Sequence, residues 1–136
     1  MRSTAVLDSD GPAPSRARPE ALCLFDELGG PLHAHRGVAL FGLTDTELGE
    51  AIEAREQVAR ELDALDLQLI REVDGRGVAQ REGATGTAVW LRGRVLCRPA
   101  DAAARVRVAA ALDTVWFTPT RDALMGGLLA FGHAVV

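Results

Sequence analysis

At 136 residues the chain has the length of one compact domain and falls short of two. Its fifteen basic residues are all Arg, it has no Lys, Asn or Tyr, and nineteen carboxylates leave a net charge of −4. This excludes an overall basic, histone-like or ribosomal binder, N-glycosylation, which needs Asn, and a phosphate loop built around Lys. Residues 1–18 mix Ser, Asp, Pro and Arg, and the run Asp10-Gly11-Pro12-Ala13-Pro14 settles in neither a helix nor a central strand. They read as a disordered leader without the continuous apolar segment of a signal peptide. The longest apolar stretch, Leu128 to Val136, is broken by Gly132-His133 and falls short of the ~20 residues of a membrane span. Cys23 and Cys97 form no CxxC pair and no disulfide framework, so a cytoplasmic location is expected.

Residues 19–136 read as a single helical domain. Pro19-Glu20 opens a helix with Leu22, Phe25 and Leu28 on one face, and Gly29-Gly30 is expected to end it. Residues 31–42 are read as a loop. It carries His33 and His35, which could start a metal site but lack a third and fourth ligand, so neither a metal nor a cofactor is expected.

The clearest element begins at Thr44-Asp45-Thr46-Glu47, a capping box, and runs without a breaker to Asp74. Leu48, Ile52, Val58, Leu62, Leu65, Leu69 and Val73 draw one apolar stripe along it, widened by Leu67 and Ile70 toward its end. About thirty residues make roughly 45 Å of helix, which needs partners along its whole length. The stripe is therefore a candidate for pairing with a partner helix or a second copy of the chain.

A turn-rich stretch, 77–86, leads to a helix over 87–96, with Thr85 or Thr87 available as cap. Cys97-Arg98-Pro99 breaks it, and a second helix follows over 100–112, with Ala103, Val106 and Ala110 on successive turns. Thr118-Pro119-Thr120 reads as a turn before a last helical piece from Arg121 to about Leu129. No segment alternates with period two. The expected fold is all-α: a long amphipathic helix packed with a helix-turn-helix-like pair and short flanking helices.

Charge is segregated along the chain. Residues 45–66 carry eight carboxylates and two Arg, whereas residues 71–107 carry eight Arg and four carboxylates. Two readings follow: solvated faces that attract each other, or a basic segment that faces phosphate through bidentate guanidinium groups. In the second reading Arg92, Arg94, Arg98, Arg105 and Arg107 contact double-stranded DNA through its phosphates. Groove reading has little to work with, because short Ala side chains dominate the second helix and Asn is absent. An αα-hairpin packed through Trp90, Leu91 and Val106 accounts for the same pattern. No GxSxG or HExxH motif occurs, and the carboxylates of the long helix form a solvated row, so no catalytic residue is expected.

Two segments carry a family resemblance. One is Leu43-Thr44-Asp45-Thr46-Glu47-Leu48 opening the long helix. The other is Gly83-Ala84-Thr85-Gly86-Thr87-Ala88-Val89-Trp90-Leu91, followed by Pro99-Ala100-Asp101-Ala102-Ala103-Ala104-Arg105-Val106. Together they resemble the family called domain of unknown function 222, over about residues 40–136. That family is seen mainly in actinobacteria, as the helical N-terminal part of proteins that end in an HNH endonuclease domain. The resemblance implies a helical accessory module. It departs from the family pattern at Arg98, where Ser or Thr usually caps the next helix, and along Thr114 to Gly127. No HNH histidines follow, so the nuclease role has no residues here to carry it, and the chain reads as a truncated module whose last helix is incomplete.

Overall fold

The computed structural model describes residues 16–113 and 118–126. The expected leader lies almost wholly outside them, as do the apolar run 128–136 and part of the segment 114–127. Among the described residues six helices follow in order: α1 (Glu20–Ala34), α2 (Asp45–Gly75), α3 (Val78–Arg81), α4 (Thr87–Arg94), α5 (Pro99–Ala111) and α6 (Thr118–Met125). Among the described residues there is no strand, and the fold is all-α. No described helix is long and apolar enough to cross a membrane.

The chain divides into two compact units, Met1–Gly42 and Leu43–Val136. Within the first unit, α1 continues past Gly29-Gly30 and through Pro31 to Ala34, so the expected stop and most of the expected loop are corrected. Glycine costs about 1 kcal/mol in a helix relative to Ala but does not block helical angles. Pro31 removes one donor, and its carbonyl oxygen recovers two, the His35 backbone N–H at 3.0 Å and the His35 Nδ1 at 2.8 Å. The helix buries none of its residues.

The second unit holds the core. Its first element is set locally, as the sequence indicates. Thr44 Oγ1 accepts from the Glu47 amide at 3.3 Å, and the Glu47 carboxylate accepts from the Thr44 amide at 2.8 Å. The Thr44 amide and the Thr44 hydroxyl, both donating to this carboxylate, hold the Glu47 carboxyl below the usual carboxylate range. At the far end, Gly77 takes a left-handed φ of 62°, which turns the chain into α3. The stretch 77–86 thus contains a helical turn.

The buried face of α2 consists of Ala64, Leu67 and Ile70. It lies roughly 140° around the helix from the centre of the stripe Leu48 to Val73. Along that stripe Leu48, Ile52, Val58 and Leu69 are exposed, and Leu62, Leu65 and Val73 are half-buried. A helix with apolar residues on two sides covers the one its neighbours reach.

Those neighbours are α5, α6, α3 and α4. On α5 the buried residues are Ala102, Val108 and Ala109, with Leu112 just beyond its end. Ala103 and Ala110 face solvent and Val106 packs at the margin. Two Ala on the buried face let α5 approach closely. Leu91 of α4 and Leu124 of α6 complete the cluster, with Trp90, Val106 and Cys97 packed against it. Thr118, Pro119 and Thr120 belong to α6, since Pro fits a first helical turn. The expected extension of that helix to residue 129 lies outside the described residues.

Candidate functional site

The helix pair proposed for phosphate contact is α4 and α5. Pro99 occupies the first turn of α5, and residues 95–98 join the two helices. A connection of this length is that of a helix-turn-helix or an αα-hairpin. Leu91 is buried at the joint, and Trp90 and Val106 pack beside it, the three residues expected to hold the pair together. Arg98 caps α5 without a side-chain bond, as its lack of a suitable oxygen dictates.

The caps expected at the start of α4 are corrected. Gly86 is the N-cap, and Thr87 points inward instead. Thr87 is buried and donates from Oγ1 to the Asp74 carboxylate at 2.5 Å. The bond ties the last turn of α2 to the first turn of α4. A carboxylate at a helix C-terminus opposes the helix dipole, and the Thr87 hydroxyl offsets that cost.

The five candidate arginines do not share one face. Arg94 turns back toward α3: it pairs with Glu82 at 2.5 Å and stacks 4.8 Å from the centre of the Trp90 ring. Glu82 also accepts from the Trp90 indole N–H at 2.8 Å. That hydrogen bond and the Arg94 guanidinium keep the Glu82 carboxyl below the usual carboxylate range. Arg105 lies on the packed side of α5, its guanidinium 3.5 Å from Asp66 of α2. Burial pushes the Asp66 carboxyl up, Arg105 pulls it down, and the neighbouring Asp63 adds to the rise.

Arg92, Arg98 and Arg107 remain exposed, and none has an ion-pair partner among the described residues. Arg92 and Arg98 line one open cleft of about 580 Å³ at the end of α4, together with Val89, Gly93, Leu96 and Cys97. Arg107 stands on the solvent side of α5. The other arginines of the basic segment are held within the unit. Arg71 pairs with Asp113 at 2.9 Å and Arg76 with Glu72 at 2.7 Å. Arg81 donates to the carbonyl oxygen of Arg76. The Arg105–Asp66 pair joins the basic segment 71–107 to the acidic segment 45–66.

The model of the family described as "Domain of unknown function (DUF222)" matches residues 49–136, more than half of the chain and nearly all of its second unit. The chain belongs to the DUF222 family. The match begins after the capping box, in the second turn of α2, and covers the α4–α5 pair and α6, the elements that form the core. Comparisons with curated proteins and with solved structures each give no match.

Among the described residues of this DUF222 chain, no three His, Cys, Asp or Glu side chains gather as metal ligands. One ring nitrogen of His35 is bonded inside the first unit, as described above. Glu82, Asp74 and Asp66 are the residues that sequence reasoning missed. Only Glu82 left a signal: a partly buried indole N–H needs an acceptor, and Glu82 is a nearby carboxylate in the preceding turn region.

Proposed function

We propose that this DUF222 chain is a non-catalytic helical accessory module of an HNH endonuclease-type protein, contacting DNA phosphates through Arg92, Arg98 and Arg107. One observation carries the reading. These three guanidinium groups face solvent without a carboxylate partner among the described residues, while the other arginines of the basic segment bond to groups of the same unit. Unpaired guanidinium groups suit phosphate oxygens, which accept two parallel N–H bonds. Contacts of this kind position a protein on a duplex without reading its sequence. Arg94 and Arg105, committed to Glu82 and Asp66, contribute to the shape of the pair and leave the phosphate set.

The test is duplex binding measured as a function of salt. Three neutralised phosphates give a slope of about −2.7 in log affinity against log salt. Replacing Arg92, Arg98 and Arg107 together by Ala removes binding and leaves the melting temperature unchanged. Absence of binding at low salt, a flat salt dependence, or an unaffected triple variant overturns the reading. Cleavage of DNA by the chain alone, with magnesium or manganese supplied, overturns its non-catalytic part.

A second reading, a protein–protein or oligomerisation module without a DNA role, is favoured by the uncovered row on α2. Ile52 is 63% exposed and Val58 50% exposed. Large apolar side chains left in water in one row mark a contact surface.

A further inference from the structure

One side of α2, exposed at Leu48, Ile52, Arg55 and Leu69 and half-buried at Ala59, Leu62, Asp66 and Val73, carries a register. Leu48, Ile52, Leu62, Leu69 and Val73, with Arg55, Ala59 and Asp66 in the intermediate places, follow one another at alternating steps of four and three. This is the 3.5-residue repeat of a two-helix seam. The seam is open at Leu48, Ile52 and Leu69, and the Arg55 side chain is 72% exposed, paired with its neighbour Glu56.

The row is also self-complementary when reversed. About a point between Arg60 and Glu61, Leu48 falls opposite Val73, and Ile52 opposite Leu69. Ala59 then falls opposite Leu62, and Arg55 opposite Asp66. Antiparallel helices stack these positions in layers, apolar on apolar and guanidinium on carboxylate. A parallel pair sets Arg55 against Arg55 and Asp66 against Asp66, burying like charges. We propose that α2 pairs with α2 of a second copy of this chain, antiparallel and in this register, forming a twofold dimer.

The proposal rests on the reading of α2 as a contact surface and is independent of the phosphate reading. Asp66 suits its place in the seam. Arg105 approaches it from one side at 3.5 Å, and a second guanidinium can take its open side. At one flank of the seam Val58 and Leu65 meet across the twofold axis. At the other flank Glu56 and Asp63 bring like charges together, which weakens the association.

The experiment is sedimentation of the full chain across micromolar concentrations, with disulfide trapping in a background where Cys23 and Cys97 are Ser. The unmodified chain sediments as a dimer. Ile52→Glu and Arg55→Glu each weaken the dimer by roughly tenfold or more and leave the helical circular dichroism and the melting temperature of the monomer unchanged. The double variant Ile52→Cys with Leu69→Cys crosslinks between copies, and Ile52→Cys alone does not. A chain that stays monomeric throughout, including one whose seam is covered by another segment or partner, overturns the proposal. So does a dimer indifferent to Ile52→Glu. Crosslinking of Ile52→Cys alone overturns the antiparallel register while sparing the contact-surface reading.

Discussion

Thr87, buried at the start of α4, donates to Asp74 and so joins α4 to α2 within the core unit. Thr87→Val keeps the shape of the side chain and removes its donor. A hydrogen bond to a charged group contributes about 2 kcal/mol, so the variant melts several degrees lower by circular dichroism, while Thr87→Ser retains most of the stability. Glu82 governs a pH response. Its carboxyl is held below its unperturbed value of 4.5 by the Trp90 N–H and Arg94, so the folded state binds the proton less readily than the unfolded chain. The resulting stabilisation is present above pH 4.5 and is lost as pH falls through the depressed folded value. Asp66 has the opposite sign: its raised value contributes stability below 3.8 that is lost as pH rises through the folded value. In melts between pH 3 and 6, Glu82→Gln therefore loses less stability on acidification than the parent chain. An unchanged acid limb contradicts this role for Glu82. Neither Glu82–Arg94 nor Asp66–Arg105 was legible in the sequence, because each pair joins different helices and no local rule fixes which carboxylate meets which Arg.

At the scale of elements, local chemistry carried its own prediction. The Thr44–Glu47 capping box, the breaker at Pro99 and the uncapped Arg98 are decided within a few residues, and the structure has each where the sequence puts it. The buried face of α2 is decided elsewhere. Two apolar sides compete along that helix, and Ala64, Leu67 and Ile70 are the side that α5, α6, α3 and α4 cover. Adjacent leucines give the contrast: Leu67 is 2% exposed and Leu69 is 45% exposed. Leu67→Ala costs about 2–5 kcal/mol in chemical denaturation, whereas Leu69→Ala costs under about 1 kcal/mol in the monomer. Equal losses for the two variants contradict the assignment of faces. The site was legible to the same partial degree. The basic segment and its turn were visible, but periodicity could not separate the solvent-facing Arg92 and Arg107 from the engaged Arg94 and Arg105.

For the whole molecule, the division at Gly42 predicts independence. A chain beginning at Leu43 keeps its own melting transition, since the apolar cluster lies wholly in the second unit. Loss of cooperative unfolding on removal of residues 1–42, followed by calorimetry, contradicts that division. The connection between α4 and α5 has a further consequence, in time rather than in space. Residues 95–98 close the α4–α5 hairpin over a short loop, whereas docking α2 onto α5 brings together residues far apart in the chain, such as Asp66 and Arg105. Short loops close at low entropic cost, so the hairpin forms early and α2 docks late. Stopped-flow measurements should then divide the core in two. Leu91→Ala slows refolding, because its contacts exist in the rate-limiting ensemble, and Leu67→Ala chiefly accelerates unfolding.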